Sequence, residues 1–236
     1  MMRNTQGWLG CAIVTVTVGM GTVSARSAGQ NEPAPAPSIV DRFLAPDDQP
    51  LVSYRAFRRL TASTRGGRLR ATVEAWTTLD PEKGFAFEIT KAEGSAVIRR
   101  RVLIAALEAE QEAVNSRDAE RSSLTRSNYD FLGISGDRDH LMKVDVRPRR
   151  KHVMLIEGSV FLESDSADLV RLEGELSRRP SFWTRRVRVV REYRRLEGIH
   201  VPVAMRSAAD VLVVGASSFE MTYEYAEING RMVTHQ

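Results

Sequence analysis

The feature that most restricts what this chain can fold into is an alternation of apolar and polar residues with period two. Leu69, Ala71, Val73, Ala75 and Leu79 are apolar, and Arg68, Arg70, Thr72, Glu74 and Thr78 lie between them. Successive side chains of a strand point to opposite faces, so this pattern marks a strand with one buried and one wet face. Phe85, Phe87 and Ile89 repeat it after the turn Asp80-Pro81-Glu82-Lys83-Gly84, so the two runs read as a hairpin. The same alternation returns at Met142–Val146, Ile156–Leu162, Val170–Leu176 and Phe219–Tyr225. Turn clusters at Ser135-Gly136-Asp137, Ser164-Asp165-Ser166 and Glu197-Gly198 separate these runs. Many strands with short connections predict a large antiparallel sheet. One face of such a sheet is apolar, so the sheet must curl or be covered.

One helix interrupts the strands. Gly94-Ser95 can cap its start, and Ala96 to Val114 contains neither Gly nor Pro. Ile98, Val102, Ala106, Ala109 and Ala113 mark an apolar stripe, widened by Leu103, Leu107 and Val114. A second, short helix is placed at Ile39–Leu44, with a simple lead-in as the alternative, and Ser116–Asn128 reads as a polar loop. The expected fold class is mainly β (α+β): a curved antiparallel sheet with one or two helices covering its concave apolar face.

The N-terminus reads as an export signal. A short polar start carries Arg3, Leu9–Val23 has no charge, and Val23-Ser24-Ala25 presents small residues before charge resumes at Arg26. An apolar run of about 15 residues is short for a spanning helix, which needs about 20, although an uncleaved anchor is the alternative. Residues 1–25 are therefore assigned to a signal peptide, 26–38 to a Pro/Ala-rich linker, and 39–236 to one domain. Cleavage after Ala25 removes the single cysteine, Cys11, which suits an oxidising compartment. It takes one of the 34 basic residues and none of the 30 acidic ones, leaving +3. The expected location is the periplasm of a bacterial envelope.

Motifs that carry chemistry are sparse. The histidines are His140, His152, His200 and His235, without metal-ligand spacing, although His140 and His152 could approach across a hairpin. There is no Gly-x-Ser-x-Gly elbow and no phosphate-binding glycine loop. Asp137-Arg138-Asp139 and Glu163–Asp168 are acidic clusters that read as turns. No catalytic residue, metal site or cofactor is expected. The segment Arg178–Arg195 holds eight arginines with Phe182, Trp183 and Tyr193, and one acid, Glu192. It reads first as a solvated outer row whose stems cover apolar surface. Contact with anionic lipid through Arg186, Arg188 and Arg191 is the alternative, and nucleic acid is not expected.

The body also resembles a known family. Asn128-Tyr129-Asp130-Phe131, Lys143-Val144-Asp145-Val146-Arg147-Pro148-Arg149-Arg150-Lys151 and Leu155-Ile156-Glu157-Gly158 open the series. Leu169-Val170-Arg171-Leu172-Glu173-Gly174, Pro180-Ser181-Phe182-Trp183 and Gly198-Ile199-His200-Val201-Pro202 complete it. With Leu69–Ile89 and the helix, the stretch is similar to the outer-membrane lipoprotein-sorting (LolA-like) superfamily. The resemblance implies an unclosed, eleven-stranded β half-barrel with helices as a lid over an apolar cavity. It also implies a periplasmic carrier or binder of lipid or lipoprotein acyl chains.

An acyl chain needs an apolar concavity and no catalytic constellation. The candidate lining is Val73, Phe85, Phe87, Val144, Val160, Leu172 and Tyr223, with Leu103 and Leu107 from the helix. The leading expectation is a monomeric, non-enzymatic lipid- or lipoprotein-binding protein. The alternatives are an envelope interaction module docking through the arginine-rich strand, and a hydrolase with an unrecognised site.

Overall fold

The computed structural model describes residues 38–45, 49–64, 66–115, 123–136, 140–178, 184–211 and 215–234. The expected signal peptide, nearly all of the linker, Pro180–Trp183 and His235 lie outside these residues.

The strands are β1 (Tyr54–Thr64), β2 (Leu69–Asp80), β3 (Gly84–Gly94), β4 (Tyr129–Gly136), β5 (Leu141–Pro148) and β6 (Ile156–Glu163). They continue as β7 (Leu169–Leu176), β8 (Thr184–Leu196), β9 (Ile199–Val211), β10 (Gly215–Ile228) and the short β11 (Arg231–Met232). All belong to one antiparallel sheet in the order β3-β2-β1-β10-β9-β8-β7-β6-β5-β4, with β11 on β10. Every neighbour is joined by a hairpin except β1–β10, which brings the N-terminal strands against the C-terminal one. The expected curved, open antiparallel sheet is present, and β3 and β4 are its two edges.

That order explains where the long helix lies. The chain leaves β3 at one edge and resumes in β4 at the other. The intervening helix, α2, runs from Ala96 to Asn115 and packs on β1, β2 and β3. Its first turn (Ala96–Ile98) is α-helical, Arg99–Ile104 is π-helical, and Ala105–Asn115 is α-helical again. The π segment changes the stripe expected from a uniform helix. The buried row steps from Ile98 to Leu103, five residues on, and then to Ala106, Leu107 and Glu110, while Val102, Ala109 and Ala113 stay half-buried. A turn closed by i→i+5 bonds needs that wider step.

A shorter helix, α1 (Ile39–Phe43), begins with a capping box in which Ser38 and Asp41 satisfy each other's backbone N–H. Ile39 and Val40 are buried, and the Phe43 ring meets Phe131 of β4 edge-on at 6.3 Å. The Arg42 guanidinium donates to the carbonyls of Ser164 and Asp165, tying α1 to the β6–β7 turn. The two helices therefore sit over opposite halves of the concave face.

Register shifts in the β1–β10, β2–β3, β4–β5, β6–β7 and β8–β9 pairings mark bulges that bend the sheet. Gly158 and Gly174 face each other across β6 and β7. A Cβ on Gly174 would stand 2.2 Å from the Glu157 carbonyl oxygen and 2.8 Å from the Gly158 Cα, so only glycine allows this approach.

The outer face is a lattice of ion pairs. Arg206 of β9 bridges Glu192 of β8 (2.7 Å) and Glu220 of β10 (3.1 Å), and Arg59–Glu74 and Arg186–Glu175 link other neighbours. Exposed pairs of this kind contribute about 0–1 kcal/mol each. A tighter fork joins Arg195 to Asp168, with Arg195 also donating to the Gly198 carbonyl at 2.6 Å.

Two outcomes follow. Gly174→Ala forces the β6–β7 backbones apart and destabilises the protein by about 1–3 kcal/mol, measured by urea unfolding. The hydrogen bonds from Arg195 outweigh partial burial and hold the Asp168 carboxyl below its ordinary value of 3.8. The stability from Asp168 is thus fully present above that value and is lost as pH falls through the lower folded value. Asp168→Asn removes that part of the acid loss, read from unfolding midpoints between about pH 5 and pH 2.

Candidate functional site: the helix-covered concave face

The inward row of β1 is Tyr54, Ala56, Arg58, Leu60 and Ala62. Strand parity alone places Arg58 on the apolar face, where its side chain has 0% exposure. Glu110, the acid in the buried row of α2, comes down on it at 1% exposure. The fork is bidentate: Arg58 Nη1 donates to Glu110 Oε2 at 2.7 Å and Nη2 to Oε1 at 3.0 Å. Nη2 also donates to the Tyr54 hydroxyl at 2.6 Å. The guanidinium carbon lies 4.4 Å from the Tyr223 ring centroid and 5.2 Å from that of Phe85. Tyr54 meets Tyr225 edge-on at 5.6 Å, and Tyr225 stacks on Tyr223 at 6.1 Å. The centre of this face is thus a charged fork in an aromatic box.

The electrostatics follow from burial. Desolvation works to lower the Arg58 pKa, but the Glu110 carboxylate, with Tyr54 and Tyr223, raises it well above its ordinary value. Burial pushes the phenols of Tyr54 and Tyr225 far above theirs, with Arg58 opposing in both. The guanidinium therefore stays charged and the two phenols stay protonated at neutral pH.

Around this fork the structure sets the candidate lining residues in two groups. Val73, Phe85, Phe87 and Tyr223 lie on β2, β3 and β10, with Leu103 and Leu107 from α2 above the sheet. Val144, Val160 and Leu172 sit directly opposite one another on β5, β6 and β7. Val73, Leu103, Leu107, Val144 and Val160 have 0% exposure, so no space for even a water molecule adjoins them. Phe85, Leu172 and Tyr223 are also buried, and Phe87 is half-buried beside Phe85. These positions are packed, and α2 covers the part of the face made by β1, β2 and β3.

The arginine-rich strand needs a correction. Arg186 and Arg188 are exposed on the outer face, but Arg191 is buried. It shares the inward row of β8 with Val187, Val189 and Tyr193 and acts electrostatically on buried Tyr129. The three do not form one surface, because their spacing breaks strand parity. His140 and His152, expected to approach across a hairpin, instead flank β5 at its opposite ends. The Glu163–Asp168 cluster closes a turn through Ala167 N–H to Glu163 O and Ser166 Oγ to Glu163. Among the described residues, no three His, Cys, Asp or Glu side chains converge as a metal site.

Sequence reasoning missed Arg58, Glu110, Tyr54 and Tyr225. A signal was present: one arginine in an apolar strand row and one acid in an apolar helix stripe. Charges at such positions require partners.

No family model matches the chain, and no curated protein matches it. Solved structures give likenesses at low identity. A DUF1329 family protein from Desulfovibrio piger is 10% identical over 79% of this chain and 88% of its own, at a TM-score of 0.41. An outer membrane lipoprotein-sorting protein domain from Vibrio parahaemolyticus is 10% identical over 79% and 90%, at 0.41. A LolA superfamily protein from Nitrosomonas europaea is 11% identical over 83% and 93%, at 0.38. None of them supplies a residue role to this chain.

The fork sets a stability outcome. Arg58→Met leaves Glu110 buried without its partner and costs about 3–5 kcal/mol. Adding Glu110→Met to that variant recovers much of the loss, since an apolar pair fits an apolar box. Urea unfolding of the two single variants and the double one gives the coupling energy, and simple additivity would show the two charges to be independent.

Proposed function

We propose that this protein is a non-enzymatic periplasmic carrier or binding protein that holds lipid or lipoprotein acyl chains against the concave face, beneath α2. One observation carries the reading. The largely apolar concave face of an open sheet is covered, over β1, β2 and β3, by the buried row of α2. Polar ties of α2 to the sheet include the Arg58–Glu110 fork, Gln111 to the Phe85 carbonyl (3.0 Å) and Arg99 to the Ala92 carbonyl (2.8 Å). Ile98, Leu103, Ala106 and Leu107 of α2 add apolar contacts to the sheet.

Such a cover can be exchanged. Each buried methylene of an acyl chain contributes about 0.8 kcal/mol. A ligand that displaces the apolar stripe of α2 substitutes one apolar partner for another, so most of the burial is conserved. Binding and release then need no bond to be made or broken. The export-signal pattern in residues 1–25 supports the periplasmic part of the proposal. Among the described residues, no helix is long and apolar enough to cross a membrane.

The test is native mass spectrometry of the full-length gene product recovered from a bacterial envelope, with titration of a fluorescent fatty acid. A monomer with a bound lipid mass and saturable uptake is expected. Consistent absence of both overturns the reading.

A further inference from the structure

The buried Arg58–Glu110 fork bears on the head group of an acyl ligand. Arg58 is a permanent cation on the very surface that an acyl chain would cover. In the closed structure Glu110 neutralises it, and Glu110 belongs to the element that must move. A neutral chain lying where α2 lies would bury the guanidinium with no counter-charge. That cost is comparable with the gain from burying several methylenes. A chain carrying its own anion avoids it.

We propose that the ligand is an amphiphile with a carboxylate head, a free fatty acid in chemical class, and that this carboxylate takes the place of the Glu110 carboxylate on Arg58. The proposal rests on the acyl-binding reading. The helix already carries the stand-in: a planar carboxylate held end-on by Nη1 and Nη2 at 2.7 and 3.0 Å. A fatty-acid carboxylate has the same shape, the same charge and an apolar continuation. Further donors stand ready. Arg58 Nε is buried and has no hydrogen-bond partner among the described residues, so its N–H can also donate to an oxygen side-on. The Tyr54 hydroxyl, which accepts from Nη2, keeps its proton and can donate to a nearby anion. The rings of Tyr223 and Phe85 hold the guanidinium plane in place, so little is lost in ordering it. The apolar rows of β1, β2 and β10 leave this point in both directions, giving the tail a surface to follow. Glu110 then acts as an internal competitor: the ligand must exchange with it, which keeps the empty protein closed.

The experiment is displacement of a neutral probe, N-phenylnaphthylamine, from the full-length protein by hexadecanoate, methyl hexadecanoate and hexadecyl phosphate. Hexadecanoate is expected to compete at least tenfold better than its methyl ester. Arg58→Met should bring the acid and the ester within about twofold of each other. Glu110→Gln keeps the size of the side chain but gives up its charge, and should strengthen hexadecanoate at least tenfold while leaving the ester within about twofold. Thermal unfolding of each variant confirms that it is folded, and Glu110→Gln carries the test alone if Arg58→Met is not. Equal competition by acid and ester in the unaltered protein overturns the carboxylate assignment and leaves acyl binding standing. A tenfold preference for the phosphate over the carboxylate overturns it as well. Failure of the probe and of all three amphiphiles to bind overturns the acyl-binding reading itself.

Discussion

A single buried charge pair sets the relation between the helix and the sheet. Arg58 and Glu110 have essentially no contact with solvent, and each would be costly to bury without the other. The pair is not an efficient source of stability, since apolar residues of similar volume would serve as well. What it provides is position. An apolar helix on an apolar sheet can slide or rotate at small cost, but a bidentate fork has one geometry. Tyr54, Tyr223 and Phe85 hold the arginine end of that fork, and the π-helical segment upstream brings Leu103 into the same buried row as Glu110. The helix is thereby held in one place by a single bidentate ion pair.

The topology makes this arrangement necessary. In the sheet, strands β1 to β3 form one block and β4 to β10 another, and the two blocks meet where β1 pairs with β10. The chain must travel from the β3 edge to the β4 edge, and the concave face is the surface that α2 covers on the way. The edges are left open, so the cover is not sealed into a barrel. Bulges and the Gly158–Gly174 contact let the sheet bend enough for side chains of distant strands to share one core.

The basic character of the chain resolves into two populations. Many arginines of the outer face pair with glutamates on neighbouring strands, as Arg206 does with Glu192 and Glu220. Arg58 and Arg191 instead belong to the inner face. A local excess of arginine in the strand Thr184–Leu196 is therefore a poor guide to a basic surface, because strand parity divides it between two environments.

Much was determined by the sequence alone. Period-two alternation at Leu69–Leu79, Met142–Val146 and Phe219–Tyr225 specified antiparallel strands with one apolar face, and the glycine-free run after Ser95 specified the helix to cover it. Those are local properties, since side-chain periodicity reflects backbone geometry over a few residues. The inward positions of Val73, Phe85, Val144, Val160 and Leu172 were legible for the same reason. What only the tertiary structure decided is pairing across long sequence distances: β1 with β10, and Arg58 with Glu110, 52 residues apart. An arginine in an apolar row is merely an irregularity in sequence, because the physics that makes it tolerable resides in a partner on another element. The same limit hid the five-residue step from Ile98 to Leu103, whereas the inward turn of Arg191 was legible in its parity with Val187 and Val189.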